Sequence, residues 1–202
     1  MARSNPTPGI SLRERTRDVV RSDIARQALL LFDEQGFDAT TVEEIAGVAG
    51  ISVRSFFRYF SSKEDAVLYE VEPLGADVRD ALALRPSTES PWIALLNALE
   101  PIVQMVDGDP TGQLRLTRVA ISTPALRARS TEKHIAWAAL LTPLMADREG
   151  TTGDTLRSRS VIHAGLACMD LALQAWAEEG NIHPFSTYLH KAFASIAQID
   201  VS

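Results

Sequence analysis

The chain has 202 residues, 46% of them hydrophobic and 23% charged, with a formal net charge of −6. That is enough apolar material for a substantial core, and the acidic balance argues against a protein that coats nucleic acid indiscriminately. A single cysteine, Cys168, excludes an intramolecular disulfide and a cysteine-based metal cluster; the four histidines are scattered, and no metal or cofactor site is expected. No apolar run is long enough to span a bilayer, and MARSNPTPGISLRERTRD carries no signal-peptide core, so a cytoplasmic protein is expected.

Charge is uneven along the chain. Arg3, Arg13, Arg15, Arg17, Arg21 and Arg26 stand near the start against only Glu14, Asp18 and Asp23. A local basic face in an acidic protein is one form a DNA-binding surface takes. Residues 1–10 hold two prolines and a glycine and read as a flexible arm. A first helix is expected from Ser11 or Thr16 to Gln35, with Ile24, Ala28, Leu31 and Phe32 on one face and Gly36 as a left-handed cap. Thr41 and Glu44 form a capping box that opens a short helix over 42–49. Gly50 ends it, and Ser52 caps the next, 53–60. Ser61 and Glu64 read as a second capping box opening a helix that continues to about Leu84.

Beyond a break at 85–91, Trp92, Leu95, Leu96, Leu99, Val103 and Val106 predict one helix kinked at Pro101. A turn at 107–112 precedes helices over 113–122, 124–148 with a kink near Pro143, 155–179, and 184–198. Residues 149–154 read as a loop. No strand alternation is present, so the fold class is all-α with about nine helices. The expected organisation is an arm over 1–15, a three-helix helix-turn-helix domain over 16–64, and a larger helical domain over 65–202.

The helix over 53–60 carries the functional argument. Val53, Phe56, Phe57 and Phe60 fall on one face and should pin it to its neighbours, leaving Arg54, Ser55, Arg58 and Tyr59 on the other. Small residues in the preceding helix (Ala46, Gly47, Ala49) permit close approach across a tight turn. Three short capped helices within about 50 residues suggest a helix-turn-helix. An arginine can give guanine a bidentate pair worth about 1–3 kcal/mol of base discrimination, and Ser and Tyr can hold phosphates. The segment also admits a plainer reading, a surface helix with two solvated arginines.

Gly36-Phe37, then Thr41, Val42, Ile45 and Ala46, then Ala49-Gly50-Ile51-Ser52, the aromatic run Phe56 to Phe60, and Lys63-Glu64 together resemble the N-terminal domain of the TetR family of bacterial regulators. The resemblance covers about residues 17–68. It implies a homodimer joined by the last two long helices, and a C-terminal domain that encloses a small-molecule effector. It also implies a repressor that leaves a pseudo-palindromic operator in double-stranded DNA when the effector binds. Residue by residue, it implies DNA contacts from Thr41, Ser52, Arg54, Ser55, Arg58, Tyr59 and Lys63. Phe57 stands where the family most often has Tyr, which removes one donor to phosphate.

In the C-terminal region Trp92, Met105, Trp137, Leu141, Met145, Met169 and Trp176 are candidates to line a pocket or to form ordinary core. Polar residues within apolar runs, His163, Gln174, Arg115 and Arg118, are candidates to face a ligand, since a buried polar group needs a partner. Ile162, Leu166, Met169, Leu173 and Trp176, with Tyr188, Ala192 and Ile196, form apolar stripes on the last helices. Residues 52–68 and ISTPALRARSTEK (121–133) resemble a subgroup of the same family associated with acyl-CoA-like ligands, which implies that Arg115 or Arg118 meets phosphates. No catalytic motif such as G-x-S-x-G or a P-loop is present. The alternative to a regulator is an all-helical interaction module with a degenerate helix-turn-helix.

Overall fold

The computed structural model describes residues 11–150 and 155–197. Arg3 and the arm over 1–10, most of the 149–154 loop and the expected helix end at Gln198 lie outside them. The described residues form eleven helices and no strand. They divide into two compact units, one ending at Tyr69 and one beginning at Glu70.

In the first unit, α1 (Leu12–Gln35) begins with a capping box that periodicity alone did not predict: Ser11 Oγ accepts from Glu14 N at 3.2 Å, and Glu14 Oε2 accepts from Ser11 N at 2.8 Å. Gly36 has a positive φ of 88°, but its ψ of 149° places it outside the left-handed helical region expected for that cap. α2 (Val42–Val48) starts at the Thr41–Glu44 box, and α3 (Val53–Tyr59) starts at Ser52, whose Oγ accepts from Ser55 N. Gly50, with φ of 66°, makes the corner between them, a conformation that costs glycine little. Ile24, Ala28, Phe32, Phe37, Ile45, Ala46, Phe56, Phe60, Ala66 and Val67 are buried.

α4 (Lys63–Leu68) corrects two expectations. Its cap is Ser62, accepting from Asp65 N at 3.2 Å, not Ser61 with Glu64. Ser61 instead donates its hydroxyl to Asp65. The buried Phe60 holds extended backbone after α3, and the helix restarts only once the chain has passed it. Nor does α4 run on to Leu84. It stops at Leu68, and α5 (Leu74–Ala83) begins after Pro73. Proline supplies no N–H and pushes the residue before it out of helical geometry.

The second unit contains α5, α6 (Pro91–Ala98), α7 (Glu100–Gly108), α8 (Pro110–Ser122), α9 (Pro124–Glu149), α10 (Leu156–Glu178) and α11 (Phe185–Ala197). The single helix expected around Pro101 is two, because Pro101 sits in the first turn of α7, where a missing N–H costs nothing. Asp109 caps α8 by accepting from Gly112 N at 3.0 Å, so α8 starts at Pro110 and the turn before it is short. These two breaks, after Leu68 and after Ala98, account for eleven helices where nine were expected. Pro143 lies inside α9.

Long helices pack through close approaches. A Cβ on Gly165 of α10 would stand 2.3 Å from Leu95 Cδ2, and one on Gly75 of α5 would stand 2.4 Å from the Trp137 ring of α9. Arg148 donates to the carbonyls of Arg85, Pro86 and Glu89, holding the link between α5 and α6 against the end of α9. Arg85 pairs with Glu89, which holds that carboxyl below its ordinary pKa.

Candidate nucleic-acid interface

α3 is seven residues long and has one buried anchor, Phe56. Its placement follows from aromatic packing: Phe56 lies 5.5 Å from Phe60 and 5.6 Å edge-on from Phe57. Phe57 is 53% exposed, so the expectation that it pins α3 to the core is corrected. Phe56 and Phe60 take the inward face between them, and Phe57 stands about 100° round from Phe56.

The outward side carries Ser52, Arg54 and Arg58, all exposed, with Ser55 and Tyr59 half-buried. Arg54 has no hydrogen bond or ion pair among the described residues. Arg58 lies over the Tyr59 ring, its Cζ 5.0 Å from the centroid, and its Nη2 donates to the Tyr59 hydroxyl at 3.3 Å. Ser52 Oγ and Ser55 Oγ lie 3.0 Å apart. Four of the expected residues, Arg54, Ser55, Arg58 and Tyr59, therefore share one short helix with Ser52 at its cap.

Two others are occupied within the protein. Thr41 Oγ1 accepts from Glu44 N and donates to Glu44 Oε2 at 2.9 Å, while that oxygen also accepts from Thr41 N. These bonds hold the Glu44 carboxyl below its ordinary pKa. Lys63 Nζ donates to the carbonyls of Phe37 at 2.7 Å and Thr40 at 3.0 Å, and lies 4.3 Å from the Phe37 ring centroid. Its ammonium staples the α1–α2 link, where the resemblance assigns it to phosphate. Sequence reasoning counted Arg21 only within the basic excess near the start of the chain. Its guanidinium carbon stands 4.4 Å from the Tyr69 ring and 5.2 Å from Phe60, and no spacing rule connects residues so far apart.

The second unit does not gather the expected ligand residues into one site. Trp137, Leu141, Met145, Met169 and Trp176 are buried in the core. Trp92 is half-buried, its Nε1 donating to Phe193 O at 3.2 Å and its ring 4.5 Å from Phe193. Met105 is partly buried against the same core, and Arg115 and Gln174 are half-buried. Arg118 and His163 are exposed, because α8 turns Gln113, Leu116 and Thr117 inward and α10 turns Ile162 and Leu166 inward. The stripe Ile162, Leu166, Met169 and Trp176 belongs to the chain's own core, as does Tyr188. Leu156, Ala167 and Leu171 of α10 and Ile196 of α11 are exposed.

One polar cluster was missed. Lys133, His134 and Trp137 of α9 meet Asp170 of α10: His134 Nδ1 is 3.1 Å from Asp170 Oδ2, and Lys133 Nζ is 4.8 Å from the Trp137 centroid. Burial lowers the Lys133 pKa, opposed by the Asp170 charge. His134 Nε2 is buried without a hydrogen-bond partner. The Lys133–Trp137 spacing of one turn was visible in sequence; the His134–Asp170 pairing was not.

Residues 24–68 match the family described as bacterial regulatory proteins, tetR family, and residues 89–199 match the MftR C-terminal domain. The regulator TcmR of Streptomyces glaucescens, an HTH-type transcriptional regulator, is 32% identical over 181 residues, covering 86% of this chain and 80% of that protein. The fold is similar to that of FadR from Thermus thermophilus, a TetR-family repressor solved with lauroyl-CoA. That similarity has a TM-score of 0.60 at 21% identity over 90% of this chain and 96% of that one. FadR from Bacillus subtilis, solved with stearoyl-CoA, gives a TM-score of 0.60 at 16% identity over 87% and 97% of the two chains. With a helix-turn-helix match, a C-terminal match over half the chain and a relative of this identity, the chain belongs to the TetR family of DNA-binding transcriptional regulators.

Proposed function

We propose that this regulator is a repressor that binds a pseudo-palindromic operator as a homodimer and leaves it when a small molecule binds the second unit. The observation that carries the DNA contact is α3. Ser52 caps it, Phe56 anchors it, and Arg54 and Arg58 stand exposed without a carboxylate partner among the described residues. Arg54 is assigned to base edges, and Ser52, Ser55 and Tyr59 to phosphate or base. Thr41 orients α2 through its capping box and presents backbone rather than a free hydroxyl.

The dimer is assigned to α10 and α11, as the family resemblance implies. The exposed apolar residues on these helices include Leu156, Ala167, Leu171 and Ile196. The effector is assigned to the amphipathic, acyl-CoA-like class. Two proteins of similar fold were solved with lauroyl-CoA and stearoyl-CoA, and Arg115 is a half-buried cation on α8 suited to an anionic group. An effector releases DNA only if it binds the non-operator state more tightly than the operator-bound one.

The test is titration of the full chain into DNA from its own upstream region at two salt concentrations, beside Arg54→Ala. Salt-sensitive binding that disappears in the variant, and that lauroyl-CoA releases, supports the reading. Binding that the variant retains with unchanged sequence preference removes α3 as the reader. DNA affinity unmoved by lauroyl-CoA removes the proposed effector class.

A further inference from the structure

We propose that Lys133 and His134 of α9 hold a group of the effector that both donates and accepts a hydrogen bond, a hydroxyl or a secondary amide. The inference rests on the effector reading above and adds the place and chemistry of one contact. It starts from a buried nitrogen. The His134 side chain is 12% exposed, and its Nδ1 lies 3.1 Å from Asp170 Oδ2 on α10. With Asp170 accepting from Nδ1, the neutral ring carries its lone pair on Nε2. That atom is buried and has no hydrogen-bond partner. A buried acceptor without a donor is costly, and folded proteins rarely keep one.

The neighbouring cation supplies the complementary half. Lys133 Nζ lies 4.8 Å from the Trp137 ring centroid and the His134 ring lies 5.8 Å from the same indole, so donor and acceptor stand beside one ring. Attraction to the indole face holds the ammonium there. Nζ makes no hydrogen bond or ion pair among the described residues. Burial lowers the Lys133 pKa, opposed by the Asp170 charge, as expected of an ammonium short of polar partners. A ligand group that donates to His134 Nε2 and accepts from Lys133 Nζ satisfies both. A carboxylate accepts but cannot donate, and it would set a second negative charge beside Asp170. A hydroxyl or a secondary amide does both without charge.

α8 adds polar surface to the same unit. It packs against α9 and α10 and turns Gln113 and Thr117 inward, one turn apart and both buried. Neither side chain makes a hydrogen bond among the described residues. An acyl-CoA carries secondary amides and a hydroxyl in its pantetheine arm, between the apolar chain and the phosphates. The arm is therefore the part of the proposed effector that Lys133 and His134 suit.

The test uses the full chain and lauroyl-CoA, with binding followed by calorimetry. His134→Phe keeps a ring beside Trp137 and removes the acceptor, while Asp170, 40% exposed, keeps water as a partner. Affinity should fall by about tenfold to a hundredfold. His134→Gln returns an acceptor at similar reach and should recover most of the loss. Lys133→Met keeps the stem on Trp137, removes the donors and should bring a fall of the same order. Circular dichroism and urea unfolding confirm that each variant is folded. Undiminished affinity in His134→Phe overturns the proposal, leaving Nε2 to solvent alone, and so does undiminished affinity in Lys133→Met. A fall that glutamine does not restore also overturns it, since packing and not the acceptor would be the cause. A wild-type chain that does not bind lauroyl-CoA overturns the effector reading and the site with it; a wild-type chain that binds it while His134→Phe binds as tightly removes the site alone.

Discussion

In the unit ending at Tyr69, every helix starts on a side-chain cap: Ser11, Thr41, Ser52 and Ser62 each accept from a backbone N–H three residues on. In the unit beginning at Glu70, α5, α7 and α10 start without one. What holds that unit is contact between residues far apart in sequence, such as Leu95 against Gly165 and Trp137 over Gly75. Short helices cannot sustain themselves on propensity, so the first unit spends its sequence on local hydrogen bonds. Helices without such a cap, whether the 10 residues of α5 or the 23 of α10, leave their position to be decided by packing. The first unit is thus built from local rules, and the second from non-local ones.

The strongest way to break this comparison is to empty each core. Phe56→Ala and Trp176→Ala each remove a side chain at most 1% exposed and should cost about 3–5 kcal/mol in urea unfolding. A destabilisation below about 1 kcal/mol at either position would mean that the side chain is not the anchor of its core.

Lys63→Met should cost about 1–3 kcal/mol by leaving the Phe37 and Thr40 carbonyls short of a donor. The salt slope of DNA binding should not change, whereas a phosphate contact at Lys63 would lower it by about 0.9. In the second unit Gly75→Ala should cost a comparable amount, about 1–3 kcal/mol, by forcing the Trp137 ring aside, with a change in tryptophan emission.

Thr41→Ala should cost about 1 kcal/mol by removing the cap. The same bonds predict a pH effect. Thr41 lowers the Glu44 pKa from its ordinary 4.5, so this contribution is present above that value and is lost as pH falls through the folded-state value. An acid titration followed by circular dichroism should show Glu44→Gln, which removes the titrating carboxyl, losing less stability on acidification than wild type. Equal losses would remove Glu44 as the cause.

The smallest effect is expected at Phe57. Being 53% exposed, Phe57→Tyr should leave stability within about 0.5 kcal/mol. If position 57 faces phosphate, the added hydroxyl strengthens DNA binding; unchanged affinity places Phe57 away from the backbone.

What was legible follows the same division. Thr41, Gly50 and Ser52 announced α2 and α3 because a cap or a positive-φ turn depends on a few adjacent residues. The Ser61/Ser62 choice did not, since both serines have an acid three residues on, and only the extended Phe60 decides between them. Periodicity put Phe57 inward because it counts apolar residues without knowing how much of a helix its neighbours cover. His163 and Arg118, candidates to face a ligand because they lie within apolar runs, stand exposed.

By itself the sequence determined the all-helical class and the helix-turn-helix. Each depends on hydrogen bonds and spacings that close within a few residues, and such bonds form wherever those residues occur. Only tertiary structure decided that Lys63 staples a loop and that His134 meets Asp170. Those outcomes depend on which distant surfaces pack together, and burial on one face of a helix is settled by its neighbours rather than by its own composition.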